Sequence, residues 1–261
     1  MQASVTFGYP TPGKGKARVI LKAFCQGAKG RVEESLVSLL PGAASFYGVT
    51  EATKHLWKQA RAEGRDVYYL DNAYFDSSRE VYFRATRNRL QHPGTGSSDC
   101  RRFDALGVPV LPWRAPGRHV LVCPQSSTFM RDVAEYEGSW LADTLAALKD
   151  LTDRPVRVRL WSNDKREWFR TLPEDLEDCH CLVSYSSSSS ITALLSGVPA
   201  ISTGEDAVAR PVTGRLADVE DPPRPSADER RAWAGIAADN QWTLDEMRSG
   251  LCWRMIHGRM V

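Results

Sequence analysis

A chain of 261 residues that is 42% hydrophobic, 25% charged and carries a formal net charge of +2 has the composition of an ordinary folded protein, with room for one large or two small α/β domains. No apolar run approaches the roughly 20 residues that span a bilayer, and the N-terminal MQASVTFGYPTPGKGKAR lacks the apolar core of a signal peptide, so a cytoplasmic protein without a membrane span is expected. Six scattered cysteines fit reduced thiols better than a disulfide framework; Cys179-His180-Cys181 has no second ligand pair to make a metal site, and so small a charge neither requires nor excludes a nucleic-acid partner.

In chain order, residues 1–17 are rich in Gly, Pro and Lys and read as a loosely held terminus or a first edge segment. Residues 18–24 read as a β-rich run feeding the glycine loop Gln26-Gly27-Ala28-Lys29-Gly30, with a helix over 32–40 and a strand near 45–49 after it. Thr50 then caps an amphipathic helix with Leu56, Trp57 and Ala60 on one side and Lys54, Lys58 and Arg61 on the other, ended by Gly64. The strand 66–70 (DVYYL) delivers Asp71, Asn72 and Tyr74 at its carboxyl end. A less regular stretch, 91–98, and a proline-bounded connector, 109–116, separate this series from a second one.

The second series opens with a strand at 118–123 followed by Pro124-Gln125-Ser126-Ser127-Thr128, a helix over 139–151, and a strand at 156–161. Residues 181–202, CLVSYSSSSSITALLSGVPAIS, then read as a buried strand, a small polar turn (186–190), a helix (191–196) stopped by Gly197-Val198-Pro199, and another strand at 199–202. Serine runs are often flexible linkers, but apolar strand and helix segments flank this one without a gap. Free backbone N–H groups and small side chains at a helix start suit a phosphate or a ribose. Residues 227–238 and 244–255 read as closing helices, with Trp242 packing them down and His55 and His119 in structural roles. The absence of GxGxxG, P-loop, HExxH and GxSxG patterns sets aside dinucleotide oxidoreductases, P-loop kinases, zincins and α/β-hydrolases.

Strands that alternate with helices build a parallel sheet, whose ligands sit beyond the strands' carboxyl ends. Several residues there suit group transfer. Ser126, Ser127, Arg159, Lys165 and the turn Ser187, Ser188, Ser189, Ser190 can hold a diphosphate, Arg159 foremost because a guanidinium grips phosphate with two hydrogen bonds. Arg159 and Arg157 read equally well as a solvated strand face. Asp71, directly after VYYL, can take a proton from an acceptor hydroxyl, or can simply end its strand as an Asx-turn. Tyr74, Phe75, Tyr82 and Phe83 can stack a sugar or a base, and Arg84, Arg87, Arg89, Arg101 and Arg102 form the cluster that a phosphate backbone would need, unless they are a solvated face.

SSSSSITALLSGVPAIS resembles the donor-binding strand, loop and helix of GT-B glycosyltransferases, particularly the capsular-polysaccharide-type and phage-encoded ones, in its serine turn, Ala193-Leu194-Leu195 and Gly197-Val198-Pro199. Thr192 departs from the pattern, standing where such enzymes often carry a ribose-binding glutamate. VRVRLW followed by Ser162-Asn163-Asp164-Lys165 is similar to their diphosphate-facing strand, and NQWTLDEMRSGLCWRMI to a terminal segment of phage-encoded members; YYLDNAYF and FRATRNRLQ carry the likeness in the first half. The resemblance implies two small Rossmann-like domains facing a cleft, an acceptor-side domain over 1–113 and a nucleotide-sugar-binding domain with closing helices over 114–261, the cleft lined by Gly27, Asp71, Ser126 and Ser188. It implies a nucleotide-sugar donor, UDP-linked, with no other cofactor and no metal. Thr192 joins the donor residues; Gln26, Gly27, Asn72, Tyr74, Arg84 and Arg87 face the acceptor, with Asp71 as the catalytic base. The acceptor is either 5-hydroxymethylpyrimidine in double-stranded phage DNA, which places the protein in a host cytoplasm, or a saccharide. A non-catalytic nucleotide- or nucleic-acid-binding protein on the same scaffold is the other class the residues allow.

Overall fold

A computed structural model describes residues 5–75, 81–160 and 170–258. It is a mixed α/β protein that divides into two compact units, Met1–Gln91 with Asn240–Val261, and His92–Asp239. Among the described residues no helix is long and apolar enough to cross a membrane.

The first unit begins with β1 (Thr6–Gly8), a fully buried strand where a loose terminus was expected. The run expected as a strand is the helix α1 (Gly15–Gly27): Ala17, Ile20, Leu21 and Phe24 are buried while Val19 and Lys22 face outward, which is a 3.6-residue period despite the β-branched Val19 and Ile20. The chain returns through the two-residue β2 (Arg31–Val32), where a helix was expected, and forms β3 (Ala43–Tyr47). Helix α2 (Lys54–Ala62) buries Leu56, Trp57 and Ala60 as the pattern predicts, with Thr53 at its N-cap and Gly64 (φ +64°) just past its end. β4 (Val67–Asn72) is buried over its first four residues because helices cover both its faces: Tyr68 and Leu70 pack with Ile20, Leu21 and Phe24 of α1, and Tyr69 meets Trp57 of α2 edge-on at 5.6 Å. β5 (Tyr82–Arg87) pairs antiparallel with β4 and puts Arg84 opposite Asp71.

The second unit opens with α3 (Arg101–Ala105) and the irregular connector. β6 (His119–Cys123), α4 (Ser127–Asp132), α5 (Trp140–Leu151), β7 (Val156–Val158), α6 (Leu172–Asp175), β8 (Cys179–Ser184), α7 (Ser188–Leu195) and β9 (Ala200–Ser202) follow, then α8 (Ala227–Asp239). The four strands lie in the order β7-β6-β8-β9 and every pairing is parallel. Val120, Val122, Cys181, Val183 and Ile201 form the core with Trp140 and Leu148 of α5. The connector is tied down within this unit: Leu111 N donates to Leu195 O at 2.8 Å, and Arg114 N to Gly197 O at 2.8 Å. Arg230 of α8, 1% exposed, lies 3.9 Å from the Trp113 ring and donates to Leu194 O (2.5 Å) and Leu111 O (2.8 Å). Cys179, His180 and Cys181 are buried strand residues, and among the described residues no three His, Cys, Asp or Glu come together to hold a metal ion.

The closing segment joins the first unit, whereas the sequence placed it in the second. β10 (Gln241–Thr243) pairs antiparallel with β5, giving the sheet order β10-β5-β4-β3-β1-β2, and α9 (Leu244–Arg248) and α10 (Leu251–Ile256) pack Met247 and Cys252 beside Trp242 into the core of α1 and β4. The single closing helix of the sequence reading is broken at Gly250 (φ +78°). That break meets Gly27, where an added Cβ would overlap the Met247 carbonyl oxygen and lie 2.8 Å from Gly250 Cα. Gly27→Ala is therefore expected to destabilise the protein by about 1–3 kcal/mol through overpacking, read as a lower urea midpoint at an unchanged slope. An unchanged midpoint would mean that the close approach is not needed.

Candidate functional site

The parallel strands of the second unit deliver their carboxyl ends to two short turns that begin helices. After β6, Pro124 and Gln125 lead to Ser126, whose Oγ accepts the Phe129 N–H at 3.2 Å and caps α4; Ser139 caps α5 in the same way, accepting from Ala142 N at 3.3 Å. Between them lies a cavity of about 620 Å³, with Pro124, Met130, Trp140, Leu141 and Leu160 as apolar walls and Ser126, Ser127, Thr128 and Ser139 as hydroxyls. Among the described lining residues the cation is Arg131. The guanidinium of Arg131, 62% exposed, is gripped by the 3% exposed carboxylate of Asp132 through Nε (3.2 Å) and Nη2 (2.7 Å). A buried carboxylate thus fixes a solvent-facing guanidinium at the cavity wall. Burial pushes the Cys123 thiol at the end of β6 up to about 12, so no thiolate nucleophile stands there.

The serine run is folded largely onto itself. Helix α7 starts three residues earlier than expected, so Ser188, Ser189 and Ser190 are its first turn, and Ser187 caps it by accepting from Ser189 N at 3.2 Å. Ser190 Oγ lies 2.8 Å from Ser184 Oγ and accepts from Ser202 Oγ at 3.2 Å, a buried hydroxyl network that ties β8, α7 and β9 together. Gln125 joins this turn to the one after β6, donating to Ser186 Oγ and accepting from Ser186 N, each at 3.1 Å. Ser189 is 9% exposed, while Ser188 and Thr192 face solvent. Arg159 follows β7 and is turned into an ion pair with Asp175, with a further bond to Arg170 O at 2.6 Å. Of the expected donor group, Ser126 and Ser127 line the cavity and Arg159 and Ser187–Ser190 do not; Lys165 lies outside the described residues.

In the first unit the end of β4 carries a second polar cluster. Asp71 Oδ2 accepts from Arg84 Nη2 at 2.6 Å and from Tyr69 Oη at 3.4 Å, while its Oδ1 accepts from Asn72 N at 2.8 Å. The Arg84 guanidinium sits 5.3 Å from the Tyr74 ring. Burial disfavours its charge, yet Asp71 first, and then the Tyr74 and Tyr69 phenols, hold its pKa above the usual arginine value. Next to this pair, Asn72 Oδ1 accepts from Tyr47 Oη (2.7 Å) and Lys16 Nζ (3.0 Å). Lys16 stands in the first turn of α1, whose first residue is Gly15, after a loop with Gly13; this strand, loop and helix start is what the sequence reading took for a loosely held terminus or a first edge segment.

The other expected acceptor residues lie elsewhere. Gln26 and Gly27 end α1, a crossover helix that runs back toward the amino ends of its strands, so they sit at the edge opposite Asp71. Arg87, opposite Tyr68, is also away from Asp71 and is held by Asp66 in a two-pronged pair (Nε 3.0 Å, Nη2 2.8 Å). Arg101 pairs with Asp99 at 3.2 Å. The expected row of phosphate-facing arginines is therefore a set of local ion pairs at Arg84, Arg87 and Arg101.

Parallel strands, crossover helices and polar strand ends define an α/β protein of the kind that binds ligands at its strand ends. No protein-family model matches the chain, and no curated protein matches it. Among solved structures it is similar to a Thermosulfurimonas dismutans KpsC beta Kdo 2,4 transferase, at 12% identity and a TM-score of 0.50 over 98% of this chain and 99% of that one. It is similar also to a KpsC beta Kdo 2,7 transferase of the same organism, at 12% identity and a TM-score of 0.50 over 96% of this chain and 99% of that one. At this identity the likeness shows a shared fold.

Proposed function

We propose that the protein is a glycosyltransferase that moves a sugar from a nucleotide-activated donor to a hydroxyl of a saccharide acceptor. The observation that carries this reading is the cavity beyond β6. Its size falls within the range of about 300–1,000 Å³ usual for small-molecule sites. Its apolar walls suit a base, its hydroxyls a ribose, and Arg131 a phosphate. The fold likeness to two chains named as Kdo transferases supports it. A GT-B reading of the two α/β units and a UDP-linked donor belong to this proposal.

In transfer, negative charge grows on the nucleotide phosphate as the sugar leaves, and a guanidinium held in place by Asp132 stabilises that charge without reorganising. Asp71, fixed at its strand end by Arg84 and Asn72 N, takes the acceptor proton. A saccharide acceptor is favoured over DNA because Arg84, Arg87 and Arg101 already face carboxylates. In a thermal-shift panel of CMP, UDP, GDP and their sugar derivatives, a nucleotide at a hundred times its dissociation constant is expected to add about 2.7 kcal/mol of stability. Arg131→Ala should weaken that nucleotide at least tenfold, about 1.4 kcal/mol, read against the variant's own ligand-free melting point, because the 3% exposed Asp132 loses a partner in the same substitution. A panel in which no nucleotide shifts the wild type would reject the donor site, and an unchanged affinity in the variant would reject Arg131.

A further inference from the structure

The carboxyl ends of β8 and β9 open onto a second cavity, of about 290 Å³, which shares Trp140 with the one just described. Tyr185 leaves β8 and Thr203 leaves β9; Tyr136 and Asp143 come from the start of α5 and the turn before it. The Tyr185 ring stands nearly perpendicular to two others, Tyr136 (centroids 6.1 Å, 83°) and Trp140 (6.3 Å, 78°). The Trp140 indole is locked by its Nε1–H, which donates to Thr203 Oγ1 at 2.8 Å, and Tyr136 Oη donates to Asp143 Oδ2 at 3.1 Å.

We propose that this cavity is a saccharide subsite selective for neutral or amino sugars over acidic ones. Rings set edge to face make a corner, which fits the C–H faces of a pyranose better than it fits a flat base, since a base needs a slot between parallel walls. The polar lining groups, the exposed Asp143 carboxylate and Thr203 Oγ1, are of the kind that take hydrogen bonds from sugar hydroxyls. Charge decides the selectivity. Among the described residues, the lining includes the carboxylate of Asp143 and no lysine or arginine. Further negative charge stands near Tyr185: burial raises its pKa, and Asp206 and Glu205 raise it further. A sugar carboxylate would enter this field without a counter-charge, whereas an ammonium would gain both Asp143 and the tyrosine faces. The role of the subsite in transfer rests on the glycosyltransferase reading, but binding is tested without it.

The test is an NMR titration of the whole protein with methyl glucoside, methyl glucosaminide and methyl glucuronide. The glucoside and glucosaminide should bind, the glucosaminide about threefold or more tighter, and the glucuronide at least tenfold weaker than the glucoside. Tyr185→Ala should weaken both ligands at least tenfold. Asp143→Asn, at an exposed position that keeps an acceptor for Tyr136, should abolish the amino-sugar preference and leave glucoside binding in place. Absence of binding by all three, a glucuronide as tight as the glucoside, or affinities indifferent to both substitutions would overturn the subsite. Nucleotide-induced thermal shifts in the same preparation would then still stand for the donor site.

Discussion

Alanine at position 230 is expected to lower stability by about 3–5 kcal/mol, the range for losing a large buried side chain that satisfies buried polar partners. Arg230 is 1% exposed and, among the described residues, pairs with no carboxylate; its hydrogen bonds go to two carbonyls, Leu111 O in the connector and Leu194 O at the end of α7. Burial lowers its pKa, yet a guanidinium keeps its proton at any ordinary pH, so the cation is held by carbonyl dipoles and the Trp113 ring. Truncation leaves a cavity and takes a donor from each of two carbonyls, of which Leu194 O keeps the Gly197 N–H at 3.4 Å. Arg230→Met, which refills the space but not the hydrogen bonds, should fall between wild type and Arg230→Ala in urea denaturation. A loss below about 1 kcal/mol in the alanine variant would contradict this account of how the connector is held.

The second large effect concerns Asp71. If Asp71 is the proton acceptor proposed above, Asp71→Asn is expected to lower turnover roughly 10²-fold or more while nucleotide binding persists. The geometry adds a complication, because the same substitution leaves the guanidinium of Arg84, whose side chain is 11% exposed, facing a neutral amide. Removing one partner of a buried pair is destabilising in itself. The double variant Asp71→Asn with Arg84→Met separates the two consequences: stability should return toward wild type, and turnover should not. Recovery of turnover in the double variant would make Asp71 a structural partner of Arg84 and no more.

What could be read from the sequence follows from how each strand is buried. β6, β8 and β9 are covered on both faces and read as apolar runs, and Gly197 (φ +79°) with Pro199 marks the end of α7, so the strands of the second unit and the helices α5, α7 and α8 were legible while the short α3, α4 and α6 were not. In the first unit, α1 was hidden by Val19 and Ile20, whose β-branching outweighed a period carried partly by Ala17. β5 was hidden because its buried residues include Arg84 and Thr86, which are satisfied by Asp71 and by Tyr69 O and Arg89 O, partners that no hydropathy pattern reveals. β10 is three residues long. Ser126, Ser127 and Asp71 were picked out by their places after strands, and they stand at the carboxyl ends of β6 and β4. Arg131 was not, because neighbours in sequence on a helix do not usually face each other, and its link to Asp132 exists only in the folded turn. Of the serines that suggested a ligand loop, Ser190 and Ser186 bond to neighbouring serines and to Gln125, Ser187 caps α7, and Ser188 faces solvent.

Sugar transfer itself tests the central claim most directly. Each nucleotide-sugar that raises the melting point would be incubated with a panel of oligosaccharides and, in parallel, with hydroxymethylpyrimidine-containing DNA, and both free nucleotide and the glycosylated product would be quantified by mass spectrometry. The account predicts that one donor releases nucleotide in step with transfer to a saccharide, that Arg131→Ala suppresses both, and that DNA gains no sugar. Nucleotide binding without release or product from any donor and acceptor would contradict it, and would leave a nucleotide-binding protein on a glycosyltransferase-like scaffold.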